Sequence, residues 1–267
     1  MRILFLGDVV GRNARKTVLS NLAHLKSKYH IDFTIVNVEN AADGRGVTPK
    51  IADDFLNIGI DVLTTGNHVW DKREIINYIS QESRLIRPIN MPDGTPGNGK
   101  KEILLKNGTK ILVLNAMTNL FMPKNESVFQ TLDRTLMNIS LGTDYNAIIL
   151  DLHGEATSEK MAVGHYFDGK ISMIVGTHTH IPTADYQILP NGTAYQTDVG
   201  MCGDYDSVIG MEKKGAISRF FSKKSFLKVA KGEITICGSI VEIDDKTGKA
   251  LKISPLRMGG RLSSTID

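Results

Sequence analysis

Cysteine is scarce in this chain, and its scarcity excludes two classes of protein. The two cysteines, Cys202 and Cys237, are too few for a disulfide framework, and they form no CxxC metal-binding pair. This usage suits a reducing compartment, so we expect a cytoplasmic protein. Long apolar runs are also missing, and the run at the N-terminus is interrupted by Asp8. We therefore expect no membrane partner.

An excess of charge of one sign is the second thing the sequence lacks. Its 32 basic residues face 29 acidic ones, and the formal net charge of +3 is too small to indicate nucleic-acid binding by itself. Hydrophobic residues make up 41% of the chain and charged residues 23%, which excludes wholesale disorder. With no linker-like break, residues 1–267 are predicted to form a single domain. The oligomeric state, a homo-oligomer included, is left open.

Strand and helix patterns alternate along the first part of the chain. RILFL, FTIVNV and DVLTTG are typical of strands, and TPKIADDFLNIG and KREIINYIS of helices, the former with Thr48 as its N-cap. Asn-Gly pairs at 107–108 and 191–192, and a turn at 246–248, predict three hairpins. Alternating units followed by hairpins predict an α/β domain of two stacked sheets covered by helices.

Polar residues collect where the predicted strands stop. They come from five segments: Asp8, Glu39 with Asn40, Asn67 with His68, His153, and His178 with His180. Ligands of open α/β sheets bind beyond the carboxyl ends of the strands. His178 and His180 are two residues apart, and in an extended strand they would point to the same side.

The types of these side chains indicate a metal site. Carboxylates together with imidazoles favour Fe, Mn, Zn or Co over Ca or Mg. The set exceeds what one ion needs, so it could hold two ions that share a bridging carboxylate. Such a pair of ions assists phosphoryl displacement by stabilising both the attacking and the leaving oxygen.

Each residue also has a simpler interpretation when taken alone. Asp8 could cap the following helix, Glu39 could begin an ordinary turn, and a single histidine at a strand end is more often structural. These accounts would have to hold independently at successive strand ends. Their joint occurrence therefore favours the metal site.

Six motifs resemble those of a known family. GDVVGR, VEN, TGNHVWD, LHGEATSEK, GTHTHIPTAD and DVGMCGDYDSVIGM are similar to motifs of the calcineurin-like metallophosphoesterases, and more narrowly of the YmdB-like bacterial 2′,3′-cyclic-nucleotide phosphodiesterases. The resemblance implies a four-layer αββα sandwich of two mixed sheets flanked by helices, and two transition-metal ions, iron or manganese. It implies these metal ligands, with Glu39 as the bridge: Asp8, Glu39, Asn67, His153, His178 and His180. It also implies that His68 is a catalytic residue near the leaving oxygen.

The sequence departs from the wider superfamily at the first metal. The usual D-x-H motif has Val10 in its third position, and the usual bridging Asp is replaced by Glu39, which Asn40 follows. We expect Asn40 either to replace the missing histidine as a ligand or to support the site through another ligand.

The resulting hypothesis is a di-metal phosphodiesterase. A metal-bridging hydroxide would attack phosphorus while His68 protonates the leaving oxygen or stabilises its charge. The resemblance implies that 2′,3′-cyclic nucleotides are opened to 3′-nucleotides. One alternative is a regulatory metal- and RNA-binding protein with little catalysis of its own. A second alternative, a protein phosphatase of the same superfamily, is disfavoured by the departure in the first motif.

Three further residues are weaker candidates. Arg12, near the start of a helix, could contact a substrate phosphate, although a solvated side chain would fit equally well. Arg45, in the glycine-rich DGRGVTP loop, could approach the phosphate, but an ordinary loop leading into a helix is the favoured interpretation. Asp198 could orient a metal-bound histidine. Cys202 has no local base, which argues against a catalytic thiol.

A basic stretch with interspersed phenylalanines lies between residues 213 and 231. It contains Lys213, Lys214, Arg219, Lys223, Lys224, Lys228 and Lys231, together with Phe220, Phe221 and Phe226. Such a stretch could bind RNA. The favoured prediction is a solvated basic face with the phenylalanines on its buried side.

Overall fold

Two six-stranded sheets with flanking helices make up the fold in the computed structural model, which describes residues 1–221 and 225–265. The strands are β1 (Arg2–Leu6), β2 (Phe33–Asn37), β3 (Val62–Thr64), β4 (Lys100–Leu104), β5 (Lys110–Met117), β6 (Ala147–His153), β7 (Met173–Thr177), β8 (Gln187–Ile188), β9 (Ala194–Gln196), β10 (Gly203–Asp204), β11 (Ile234–Ile243) and β12 (Ala250–Met258). The helices are α1 (Gly11–Tyr29), α2 (Pro49–Asn57), α3 (Ile75–Tyr78), α4 (Val128–Leu136), α5 (Thr157–Tyr166) and α6 (Lys213–Phe220).

Both sheets are mixed. The first has the order β10-β11-β1-β2-β3, with β12 also paired to β11, and its strands β1, β2 and β3 are parallel. The second has the order β4-β5-β6-β7-β9-β8, with β5, β6, β7 and β9 parallel between antiparallel edge strands. The three predicted hairpins are confirmed as β4–β5, β8–β9 and β11–β12.

Three apolar clusters separate four layers. Along β1, Leu4 and Leu6 pack towards α1 and α2, whereas Ile3 and Phe5 pack between the two sheets, as the two-residue period of a strand requires. A third cluster lies between the second sheet and helices α4 and α5. This arrangement confirms the predicted αββα sandwich.

Local signals explain the first helices. Val18, Leu22 and Leu25 form the buried stripe of α1, and the Thr48 hydroxyl accepts a hydrogen bond from the Ile51 amide at the start of α2. The helix predicted around KREIINYIS is reduced to the four residues of α3, in which only Ile75 is buried. Ile79, directly after the helix, is also buried, so the segment keeps its apolar contacts without forming a longer helix.

No helix among the described residues is long and apolar enough to cross a membrane. Cys202 and Cys237 are unpaired and buried, and burial raises the pKa of the Cys202 thiol well above its ordinary value. The structure thus gives Cys202 the properties of a packing residue, as expected from the sequence.

The parallel strands of both sheets end on the same side of the molecule. The Asn37 amide of β2 donates to the Asp151 carboxylate of β6 over 2.9 Å, and the His178 amide beyond β7 donates to Asp8 beyond β1 over 3.2 Å. The polar strand ends of the two sheets therefore form one common site.

Candidate metal centre

Glu39 lies at the middle of this site, directly beyond β2. Its Oε2 accepts a hydrogen bond from the His68 amide over 3.1 Å and lies 3.3 Å from His153 Nε2. Burial disfavours a charge on Glu39, but the charge and hydrogen bond of His153 prevail and lower the pKa of Glu39 to about 2. The side chain is therefore an ionised carboxylate with positive partners.

Two groups of ligand-type side chains share Glu39. One consists of Glu39, His153 and His178, and the other of Asp8, Glu39 and His180. Within each group, one donor atom from every residue lies within 4.8 Å of the others. A single carboxylate thus belongs to two candidate metal sites, which is the arrangement expected of a bridging ligand.

In the first group, three side-chain atoms lie close to His153 Nε2, one of them from the additional residue Asn67. Asn67 Oδ1 lies 2.9 Å from it, His178 Nδ1 lies 3.1 Å from it, and Glu39 Oε2 lies 3.3 Å from it. One ring nitrogen carries at most one proton and cannot donate to three acceptors at once. Donor atoms crowded in this way are better accounted for by a shared cation.

Asp8, Asn40 and His180 meet in the second group. Asp8 Oδ1 lies 4.0 Å from His180 Nε2, and Asn40 Oδ1 lies 3.3 Å from the same nitrogen. The Asn40 Nδ2 group donates to the Gly44 carbonyl over 3.0 Å, which turns the amide oxygen towards His180. Asn40 is thereby positioned with the ligand-type residues.

Two features of the backbone and side chains fit a bound transition metal. Asp8 Oδ1 is buried and accepts no hydrogen bond within the described part of the chain, although an unpaired buried oxygen is costly. Gly66 leaves space beside the ligands, since a Cβ there would lie 2.3 Å from His153 Nε2 and 2.4 Å from Glu39 Oε2. The donor set of carboxylates, imidazoles and amides matches such an ion.

Each imidazole is oriented by an acceptor on its outer nitrogen. His153 Nδ1 lies 2.9 Å from Thr177 Oγ1, which donates its own proton to Asp151 over 2.7 Å. His180 Nδ1 lies 2.9 Å from the Ile209 carbonyl. These acceptors fix the outer nitrogens as donors and leave the inner nitrogens for a metal.

His178 is oriented in the opposite sense. Its Nε2 lies 3.2 Å from Glu155 Oε2, so Nδ1 faces the centre. Burial, followed by the positive charge of His153, lowers the pKa of His178 to about 3. The imidazole is therefore neutral, as a metal ligand must be.

The turn that carries the two histidines differs from the prediction. Strand β7 ends at Thr177, and His178 and His180 follow it with positive φ angles of 97° and 67°. The expectation of an extended strand with both rings on one side is thus wrong, because the left-handed backbone aims each ring at a different group. Such backbone is uncommon outside glycine and needs support from its surroundings.

Asp198 supplies that support. Its Oδ2 accepts hydrogen bonds from the Thr179 amide over 3.0 Å and the Thr179 hydroxyl over 2.8 Å, and lies 3.1 Å from the buried Lys160 ammonium. The sequence led us to expect a contact with a histidine ring. The observed contacts instead hold the residue between the two histidines, so Asp198 acts on both rings through the backbone.

His68 stands apart from both ligand groups through its side chain. Its amide donates to Glu39, whereas its Nδ1 lies 3.0 Å from Asp71 Oδ2. A carboxylate is an acceptor only, so Nδ1 donates and Nε2 is left for another partner. Asn67 and His68 are adjacent in the chain, yet only Asn67 turns its side chain to His153.

The two arginines of the sequence analysis lie on the surface. Arg12 and Arg45 are both exposed. Arg12 lines a surface pocket of about 410 Å³ together with Asp43 and Lys231. The preceding residue, Gly11, donates its amide to the Asn40 carbonyl, which places Arg12 beside the centre and not within it.

Sequence reasoning missed the residues that orient the histidines. Asp151 and His153 are two apart in β6 and share a face, so the period of the strand could have indicated a link between them. Asp71 follows His68 by three residues within TGNHVWD. No sequence pattern could have indicated the role of the Ile209 carbonyl, because every residue has a backbone carbonyl.

The hydroxyl of Thr177 gives a first prediction. Thr177→Val removes the acceptor of His153 Nδ1, so we expect a loss of metal affinity of roughly 10–100-fold, measured by metal titration of the metal-free protein. Thr34→Val is the matched control, since the buried Thr34 hydroxyl has no hydrogen-bond partner within the described residues. Equal affinities of the two variants would contradict the orienting role.

Metal binding should release protons, which gives a second prediction. Burial opposes a charge on His153, but Glu39 outweighs it and raises the pKa of His153 to about 9, and burial raises the pKa of Asp8 to about 7. Both groups must lose their protons to bind a metal. The affinity for Mn²⁺ should therefore increase by up to roughly tenfold per pH unit between about 7 and about 9, where His153 releases a proton, and more steeply below about 7, where Asp8 releases a second one.

Calorimetric titrations in buffers of different ionisation enthalpy count the protons directly. Glu39 and His178, with pKa values of about 2 and about 3, are already deprotonated and add no dependence in this range. An affinity that is constant across the range, without proton release, would contradict the prediction.

Comparisons with known proteins agree with this fold. The model of the YmdB-like protein family matches residues 4–256. A relative from Bacillus subtilis (strain 168), named 2′,3′-cyclic-nucleotide 2′-phosphodiesterase, is 46% identical over 254 residues, which cover 95% of this chain and 95% of the relative.

Two crystal structures have the same fold. A protein from Thermus thermophilus superimposes with a TM-score of 0.90 at 35% identity, covering 98% of this chain and 100% of that one. A structure described as a novel phosphatase from Mycoplasma pneumoniae has a TM-score of 0.90 at 34% identity and covers 97% of this chain and 93% of that one. The family match over most of the chain confirms the resemblance read from the motifs: the chain belongs to the YmdB-like family.

Proposed function

We propose that this protein is a metal-dependent phosphodiesterase that hydrolyses 2′,3′-cyclic nucleotides to 3′-nucleotides. The observation that carries the proposal is the pair of ligand groups that share Glu39. The name of the Bacillus subtilis relative supports the class of substrate and the 2′ position of the bond that is broken. A single domain spanning residues 1–267 and a cytoplasmic location are part of the same proposal.

The proposed cofactor is a pair of transition-metal ions per chain, iron or manganese. The residues that would hold them are Asp8, Glu39, Asn40, Asn67, His153, His178 and His180. When bound, two such ions supply an activated water and neutralise charge on the phosphoryl oxygens. Asp8 Oδ1, which belongs to the second ligand group, is buried without a hydrogen-bond partner among the described residues. This unpaired oxygen supports the assignment.

His68 supplies the proton in the proposed reaction. Asp71 accepts the Nδ1 proton and so orients the ring. Nε2 would donate its proton to the 2′ oxygen as the bond between that oxygen and phosphorus breaks. Arg12 and Arg45, both exposed, are proposed to attract the phosphate rather than to take part in the chemistry.

Hydrolysis of 2′,3′-cyclic AMP, with separation of the products, tests the proposal. We expect 3′-AMP as the product, loss of activity with a chelator, and recovery with Mn²⁺ or Fe²⁺. Undiminished turnover by the metal-free protein, or 2′-AMP as the main product, would overturn the corresponding part of the proposal. Bis-p-nitrophenyl phosphate serves as a second diester that does not depend on nucleotide recognition.

A further inference from the structure

Three phenylalanines project from the surface at the end of α6 and on the segment that follows it. Phe220, Phe221 and Phe226 are 84%, 71% and 91% exposed. The sequence analysis placed these rings on the buried side of a basic face, and the structure shows that this is wrong. The surface formed by residues 213–221 and 225–231 is called the aromatic-basic patch below.

Positive charge surrounds these rings. The described residues 211–221 and 225–233 contain five basic and two acidic residues, a net charge of +3 that equals the formal charge of the whole chain. The basic side chains that the structure describes are all exposed: Lys213, Lys214, Arg219, Lys228 and Lys231. Lys223 and Lys224 lie outside the described residues.

The two segments of the patch form one unit. The Glu212 amide donates to the Lys228 carbonyl over 2.8 Å, and the Ser225 hydroxyl donates to the Gly215 carbonyl over 2.7 Å. A Cβ on Gly215 would lie 2.7 Å from the Phe226 carbonyl oxygen, so only glycine permits this approach. The segment carrying Phe226 is thus packed against α6.

This unit is attached to the metal centre at two points. The Ile209 carbonyl, just before α6, contacts His180 Nδ1 over 2.9 Å. The second contact is made by Val229, on the segment that follows α6. Its side chain lies 2.7 Å from the position that a Cβ would take at Gly11, which follows Asp8, and at Gly44, which follows Asn40. The pocket lined by Arg12 and Lys231 lies at the same junction and continues the basic surface towards the centre.

We propose that the aromatic-basic patch binds single-stranded RNA whose 3′ end carries a 2′,3′-cyclic phosphate. Aromatic rings stack on bases of any sequence, and basic side chains follow the backbone phosphates. The patch would place the cyclic end at the metal centre. This inference rests on the proposed function and extends its substrate from nucleotides to RNA ends.

The chemistry of the substrate indicates the reaction that supplies it. RNA cleavage by attack of a 2′ hydroxyl on the adjacent phosphodiester leaves a 2′,3′-cyclic phosphate on the upstream fragment. Hydrolysis then forms a bond from phosphorus to a water oxygen and breaks the bond to the 2′ oxygen, which takes up a proton. The product is RNA ending in a 2′ hydroxyl and a 3′ phosphate.

RNA fits the patch better than a second copy of the chain or a membrane. A symmetric contact would place the same basic surface against itself, and like charges oppose such a contact. Membrane-binding helices separate their apolar and charged faces. On α6, the spacing of Lys213, Ile217 and Phe220 places one charged and two apolar side chains on the same face. Such a mixed face suits RNA, which presents both charged phosphates and apolar base surfaces.

Two double variants and two controls test the inference. Phe220→Ala with Phe226→Ala removes two rings, and Lys214→Glu with Lys228→Glu reverses two exposed charges away from the Arg12 pocket. Leu251→Ala and Lys252→Glu are controls on the exposed side of β12. The probes are a hexaribonucleotide ending in a 2′,3′-cyclic phosphate, the same hexamer with a 3′ phosphate for binding, and 2′,3′-cyclic AMP.

We expect both patch variants to raise the KM for the cyclic-ended hexamer, and the Kd for the 3′-phosphate hexamer, by about tenfold or more. The kcat/KM for cyclic AMP should stay within about twofold of wild type, because the mononucleotide does not reach the patch. The charge variant should also flatten the dependence of hexamer binding on salt. Both controls should behave as wild type.

Other outcomes overturn the inference in distinguishable ways. Unchanged hexamer KM and Kd in both variants would show that the patch does not bind RNA. Equal losses of kcat/KM on the hexamer and on cyclic AMP would show that these residues support the structure of the metal centre and do not bind RNA. Co-sedimentation of wild type with anionic vesicles, or a dimer lost on Phe220→Ala, without hexamer binding would identify a membrane or a second copy as the occupant. Hexamer binding without hydrolysis of any cyclic substrate would instead refute the proposed function and leave the RNA site standing.

Discussion

Glu39→Gln is expected to abolish metal binding at both sites and to reduce diesterase activity to the level seen with a chelator. The amide keeps the size of the side chain but removes the charge shared by the two ligand groups. One substitution therefore weakens two coordination spheres. The loss should exceed the roughly 10–100-fold typical of residues that only support a ligand.

The measurements are metal content after purification with Mn²⁺ and the hydrolysis of 2′,3′-cyclic AMP. Asp61→Asn is the matched control, since its carboxylate accepts a hydrogen bond from the Thr34 amide at the opposite end of the first sheet. It should retain metal and activity. Two metals and full activity in Glu39→Gln would show that Glu39 is not the bridge, and loss of only one metal would assign it to a single site.

Much of the fold was predictable because local signals and tertiary structure agree. The Asn-Gly pair at residues 107–108, between the alternating pattern of β4 and the apolar run of β5, indicates the hairpin β4–β5 from local sequence. Helix α5 carries no such signal, as its buried residues are Lys160, Val163 and Gly164. A Cβ on Gly164 would lie 2.7 Å from the Tyr195 ring, so tertiary packing specifies this part of the helix.

The composition of the site was predictable, whereas its geometry was not. Residues at successive strand ends identify the ligand types, because parallel strands bring their carboxyl ends together. The orientations of His178 and His180 depend on a left-handed turn held by Asp198, and no sequence pattern encodes that contact. The exposure of Phe226 was likewise unpredictable, since a short basic and aromatic stretch has no period that separates a buried face from an exposed one.

His68 contacts the candidate metal centre through its backbone, whereas its side chain faces another partner. Its contribution to the centre is made by its backbone amide, which donates to Glu39, and a substitution of the side chain leaves that amide in place. The imidazole is directed to Asp71 instead of to a ligand group. Removal of the ring should therefore separate proton transfer from metal binding.

His68→Ala is expected to retain its metals and to lose about 10²–10⁴-fold in kcat on 2′,3′-cyclic AMP with little change in KM. The loss should be smaller on bis-p-nitrophenyl phosphate, because p-nitrophenolate departs without taking up a proton. His24→Ala, on the exposed side of α1, is the control and should be unaffected. Loss of a metal ion would make His68 a ligand, and equal losses on both substrates with metals retained would mean that it positions the phosphate. A larger decrease in kcat on the substrate with the poor leaving group, with KM little changed, identifies His68 as the donor of the proton, because a loss of nucleotide recognition would raise KM instead.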